Sequence, residues 1–210
     1  MGYDLLAGIF FALMLPLVLL GFVAFWAMTS HEREALAELR RAYARARGLT
    51  FVEPEGEWPN RTNPAVTWER DATTFRLETM GREARVRTRL SIRPPSALLG
   101  ALSIAPCDGT RARAPRGLDD PTFLGVYRVR ERPGGFAARL LTPEVRRALL
   151  GFRQGDSVTL GYRRGKIVLE WPGGERNDAR LDEARRLGET IARAVDDAFR
   201  AGMSAPRDAA

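Results

Sequence analysis

Arg85-Val86-Arg87-Thr88-Arg89-Leu90-Ser91-Ile92-Arg93 alternates residue by residue. Val86, Thr88, Leu90 and Ile92 fall on one side of an extended chain. Arg85, Arg87, Arg89, Ser91 and Arg93 fall on the other. That pattern predicts one strand of an antiparallel sheet, covered on one face and wet on the other. Just upstream, Thr74, Arg76 and Glu78 alternate with Phe75, Leu77 and Thr79, and Gly81 marks a turn between the two runs. A sheet with one apolar face needs a second layer to cover it.

The covering layer lies near the C-terminus. Leu181, Ala184, Gly188, Ile191, Val195 and Ala198 recur at alternating three- and four-residue steps. They predict an amphipathic helix from about Asp178 to Arg200 that lies against the sheet. Working outward, Leu49–Glu53, Leu98–Ile104 and Gly125–Arg130 read as strands. The segments 54–64 and 105–121 read as loops. Thr142-Pro143-Glu144 opens a helix to about Leu150: Thr142 caps, Pro143 fits the first turn and Glu144 suits the positive end. Val158–Tyr162 and Lys166–Trp171 form a second hairpin around Arg163, Arg164 and Gly165. The fold class is therefore α+β, an antiparallel sheet domain packed by a C-terminal helix. A closed, barrel-like sheet, similar to a pleckstrin-homology-like arrangement, is compatible with the same pattern.

The N-terminal part has a different character. From Leu5 to Met28 there is no charged residue, which as a helix is roughly 36 Å long against about 30 Å of bilayer hydrocarbon. Its Leu, Ile, Val and Phe residues favour insertion by roughly 4 to 8 kcal/mol. Met1-Gly2-Tyr3-Asp4 lacks the positive start of a signal peptide, so an uncleaved anchor is expected. Arg33, Arg40, Arg41, Arg45 and Arg47 follow the apolar run and no Lys or Arg side chain precedes it. The positive-inside rule then places the C-terminal domain in the cytoplasm of a single-pass protein. The expected organisation is a transmembrane anchor over 1–30, a juxtamembrane helix over 31–48, an α+β domain over 49–202 and a disordered tail over 203–210. The juxtamembrane arginines are read first as part of a stalk packed on the domain, and second as a basic collar on anionic headgroups.

Composition removes several chemistries. The net charge is +7, carried almost wholly by arginine, with Lys166 the sole lysine. One cysteine, Cys107, cannot form an intrachain disulfide. With His31 the sole histidine, a zinc site built from Cys and His within the chain is excluded. There is no P-loop, no GxGxxG after a strand and no GxSxG elbow, so no cofactor is expected. The adjacent carboxylates Asp119-Asp120 read as turn chemistry, and Asp196-Asp197 as the solvated side of the last helix.

The suggestive surface is arginine-rich. Arg85, Arg87, Arg89 and Arg93 share one side of a strand, with Arg76 across the hairpin, and together they form a candidate anion-binding face for phosphates of lipid headgroups. Nucleic acid is not expected, because no aromatic residue interleaves them for base stacking. The plain alternative is a solvated strand face whose arginines pair with acids such as Glu78 and Glu83.

Asp120-Pro121-x-Phe123, then Tyr127-x-Val129, then Leu141-Thr142-Pro143-Glu144 with Leu149-Leu150, followed by a hairpin and a C-terminal helix, resembles an uncharacterised family of bacterial membrane-anchored α+β domains over about residues 120–200. The resemblance implies a membrane-anchored α+β protein and carries no activity or site residue with it. The leading expectation is a non-enzymatic interaction or scaffold domain, bound to the bilayer through residues 5–28 and to a protein partner. An anionic-lipid or phosphate-binding domain is the first alternative. An enzyme working with carboxylates and arginines is the second.

Overall fold

The computed structural model describes residues 2–56, 62–81, 86–107, 114–153 and 157–204; the side chains of 2–13, 24–30, 32, 33, 153 and 204 lie outside that description. The chain divides into two compact units, Met1–Leu39 and Arg40–Ala210. Helix α1, Gly2–Ala46, supplies all of the helical part of the first unit and the opening of the second. The juxtamembrane helix expected from residue 31 continues α1, one helix of 45 residues. Among residues with described side chains, no helix is long and apolar enough to cross a membrane. Within the Leu5–Met28 run the described side chains are those of residues 14–23.

The second unit is an eight-stranded sheet with helices on one face. Its strands are β1 (Thr50–Val52), β2 (Ala65–Arg70), β3 (Thr73–Met80), β4 (Arg87–Arg93), β5 (Ala101–Pro106), β6 (Tyr127–Arg132), β7 (Thr159–Arg163) and β8 (Lys166–Pro172). They lie in the order β1-β2-β3-β4-β8-β7-β5-β6, every neighbouring pair antiparallel. The sheet is open. The barrel-like variant fails because the two edges do not meet: β1 has three residues, and β6 presents alternating arginines, a charge pattern that discourages edge pairing.

The alternation read in β4 holds. Val66, Leu77, Leu90, Leu169, Leu160, Ile104 and Val129 are successive register partners across seven strands, and all are buried. Each such side chain contributes roughly 1.5–3 kcal/mol when fully buried. Helix α5, Asp178–Ser204, covers this face and overruns the expected end at Arg200. At Gly188 the helix lies so close that an added Cβ would sit 2.8 Å from Leu90 Cδ2 and 3.4 Å from Ile92 Cδ1. The glycine in the apolar stripe is there for this contact. Residues 205–210, expected as a disordered tail, lie outside the described residues.

Three local expectations are corrected. Gly125 and Val126 end a helix, α2 (Pro121–Val126), and the strand begins at Tyr127. Asp120 caps that helix, accepting from Phe123 N–H at 3.0 Å, so it is helix-start chemistry rather than a loop turn. The strand expected from Leu98 begins at Ala101, and the Phe136 ring lies against Gly100 just before it, 2.5 Å from where a Cβ would stand. Two elements lacked a sequence signal clear enough to be separated: β2, and the short α3 (Phe136–Leu140) that carries that ring. The helix opened by Thr142 is α4, Pro143–Arg153, with Thr142 Oγ1 accepting from Val145 N–H at 3.3 Å.

Candidate functional site

The end of α1 belongs to the fold of the second unit. Tyr43 and Ala44 are core residues. Asp182 of α5 accepts from Tyr43 Oη at 2.9 Å, from Arg47 Nε at 2.9 Å and from Arg47 Nη2 at 2.6 Å. The Arg47 bonds hold the Asp182 carboxyl below the ordinary carboxylate range. Burial first, and then the bond to Asp182, push the Tyr43 phenol up. Arg41 Nη2 donates to Glu53 at 2.8 Å. Arg40 is 1 % exposed and its guanidinium makes no hydrogen bond, and burial lowers its pKa to about 10. Arg41 and Arg47 are therefore paired within the domain, and Arg40 is buried in it.

The residues that alternate with the core row point to the bare face of the sheet. Arg89 stands between Glu78 of β3 and Glu170 of β8 in register, and its Nε donates to Glu170 at 2.6 Å. Arg76 Nε donates to Glu78 at 3.0 Å. Both arginines of the candidate face are half-buried in ion pairs. Arg87 and Arg93, at the two ends of β4, are exposed and have no ion pair among the described residues. Arg85 and Glu83 lie outside the described residues. Glu78 is one of the acids the sequence pointed to; Glu170 is the one it did not, because β8 becomes a neighbour of β4 only through the sheet order.

The other half of the same face is different. A cavity of about 460 Å³ opens over β5, β6 and β7. Its floor is Ala101, Ser103, Gly161 and Val168, and an added Cβ at Gly161 would meet nothing within 4 Å. Arg130, Arg132, Arg163 and Lys166 rim it, and none has an ion pair among the described residues. The one acid in the lining, Glu131, is turned to the opposite face, where it accepts from the N–H groups of Gly135 at 2.8 Å, Ala137 at 2.6 Å and Arg116 at 3.2 Å. Its charge serves the start of α3, which leaves the rim uncompensated. These four cations were missed. A signal existed in Arg128-x-Arg130-x-Arg132, the same alternation as β4, but its meeting with Arg163 and Lys166 is a product of topology.

A second cavity, about 340 Å³, lies between the start of α4 and α5, where Glu144 and Asp197 stand among Thr142, Thr190, Arg147 and Arg193. Both acids are exposed, and Asp197 lies 3.9 Å from Arg200. Two carboxylates in equally wet surroundings are not differentiated as an acid and a base. Asp196 departs from the solvated side expected of it: it is half-buried, and burial raises its pKa.

The class these features define is an α+β domain with an open antiparallel sheet, one face covered by helices and the other bare and basic. No family model and no curated protein matches the chain. Among solved structures, the fold is similar to the mycobacterial trehalose monomycolate transport factor A, TtfA, with a TM-score of 0.57 and 11% identity over 77% of this chain and 95% of that one. At that identity the likeness is one of fold. The residues on which the sequence resemblance rested serve the fold: Asp120 also accepts from Arg146 Nε of α4 at 2.6 Å, and Phe123, Tyr127, Val129, Leu141 and Leu149 are core.

Proposed function

We propose that this chain is a single-pass, membrane-anchored binding domain, held through Leu5–Met28 of α1 and working through the bare face of its sheet rather than by catalysis. The observation that carries the anchor is the exposure of α1. Leu17, Val18, Leu19 and Leu20 are 61, 65, 55 and 72% exposed. Four consecutive positions sweep a whole helical turn, so no one side of the helix is packed. A helix that is apolar all round needs an apolar solvent. The flanking arginines act on topology during insertion, before they are spent in the folded domain, and favour a cytoplasmic domain. The bare face supplies the binding surface. A protein of this fold that is named for transport of trehalose monomycolate supports reading the fold as a binding scaffold.

The test is alkaline carbonate extraction of membranes containing the full chain, with a fluorescent or alkaline phosphatase reporter after Ala210 for topology. Retention in the pellet, with a bright fluorescent fusion and an inactive phosphatase fusion, is expected. Release by carbonate sinks the anchor, and an active phosphatase reverses the orientation.

A further inference from the structure

We propose that the cavity over β5, β6 and β7 holds one anionic phospholipid, its phosphate on the rim cations and an acyl segment along the floor. The proposal deepens the membrane-anchored reading and rests on it. Three observations meet at this place. Among the described residues the rim's Arg130, Arg132, Arg163 and Lys166 have no ion pair, while Arg76 and Arg89, on the same face, are paired with Glu78 and Glu170. Cations left uncompensated around one hollow complement an anion. The floor between them is small and mostly apolar, Ala101, Gly161 and Val168 with one serine, so it offers a phosphate few partners and a hydrocarbon segment a surface to cover. The volume, about 460 Å³, falls within the range of small-molecule sites. A hollow of that volume is smaller than a whole phospholipid, which suits a molecule whose remainder stays in a bilayer.

The occupant follows from excluding others by chemistry. A nucleic acid would want exposed aromatic faces for its bases; Tyr162, the one aromatic in the lining, is 2% exposed, with its hydroxyl donating to the Leu98 carbonyl at 2.9 Å on the far side. An acidic peptide would satisfy the rim and leave the apolar floor unused. An anchored domain also meets lipid at high effective concentration, so a modest intrinsic affinity suffices.

The experiment places the full chain in phosphatidylcholine nanodiscs doped with a phosphatidylglycerol bearing an acyl-chain diazirine. After photolysis, the crosslinked peptides are mapped by mass spectrometry. A phosphatidylcholine with the same diazirine serves as control. Crosslinks are expected on β5 and β7 from the glycerol lipid, well above those from the choline lipid. Gly161→Phe, at a position where an added Cβ meets nothing within 4 Å, puts a ring over the hollow and should remove them. Each of Arg132→Gln, Arg163→Gln and Lys166→Gln should weaken them about fivefold. Crosslinks on α1 should persist in every variant. Inorganic phosphate at constant ionic strength should leave the β5 and β7 crosslinks in place. Crosslinks confined to α1 overturn the cavity while keeping the anchor, and their absence from α1 overturns the anchor itself. Equal yields from the two lipids, persistence in a folded Gly161→Phe, or displacement by phosphate each overturn the proposed occupant.

Discussion

The bare face of the sheet is one surface with two electrostatic halves. On β3, β4 and β8 two arginines are paired with glutamates, Arg89 with Glu170 on the neighbouring strand and Arg76 with Glu78 two residues along its own, while Arg87 and Arg93 at the ends of β4 have no ion pair among the described residues. On β5, β6 and β7 no acid stands opposite the arginines of this face. Arg130 faces Ser103, Arg132 faces Ala101, and Ala101 faces Arg163. An arginine with an acid across the strand is part of the sheet's own stability. Counting arginines along one strand does not separate paired from unpaired cations, because pairing depends on acids placed on the same and on neighbouring strands.

The largest effect that separates the halves is on lipid preference. Replacing Arg132, Arg163 and Lys166 together by glutamine should lower preference for anionic over zwitterionic lipid on the order of 100-fold. Replacing Arg76 and Arg89 in the same way should change it little, which the nanodisc crosslinking ratio will read. Glycines sharpen the contrast between faces. Gly188→Leu, on the covered side, meets Leu90 and should cost roughly 1–3 kcal/mol in chemical denaturation. Gly161→Phe, over open space, should stay within about 0.5 kcal/mol of the parent. Arg40 is a third situation, buried with no hydrogen bond among the described residues, and with Glu175, Tyr43 and Asp178 offsetting only part of its burial. Arg40→Met removes a buried charge whose burial outweighs that compensation and should raise stability by about 1–3 kcal/mol, seen as a higher denaturation midpoint. The smallest effects concern the pairs themselves. Glu170→Ala should cost about 0.5–1 kcal/mol by breaking the bond to Arg89, while Arg163→Ala should leave stability unchanged within about 0.5 kcal/mol.

Acid should act through the carboxyls tied to arginine. The pKa of Asp182 is lowered by Arg47, and that of Asp120 by the Phe123 N–H and then Arg146. A carboxyl depressed in the folded state contributes stability above its unfolded pKa, and that contribution fades as pH falls through the folded pKa. The melting temperature should therefore drop on acidification below about pH 4, and less steeply in Asp182→Asn.

Much of the fold was legible because period two and the three–four helical step each leave a clear trace. Leu90 and Ile92 announce one sheet face, and Leu181 to Ala198 announce the helix that covers it. The failures were of another kind. Val126 and Val129 looked like members of one strand, yet the Asp120 cap and Pro121 begin a helical turn first, and local hydrogen bonding took precedence over apolar spacing. An open sheet and a closed one share the same alternation, so closure was invisible in it. The cavity was hidden for a related reason: Arg132 and Arg163 are brought to the same alanine by the order β7-β5-β6, which no local pattern encodes.

The most direct test of the two-halves account is hydrogen–deuterium exchange of the full chain in nanodiscs of phosphatidylcholine alone and of phosphatidylcholine with phosphatidylglycerol. The account expects added protection in residues 101–106 and 159–163 with the anionic lipid, and none in residues 73–80 and 87–93. Protection confined to residues 73–80 and 87–93 would contradict it, as would no difference between the two membranes.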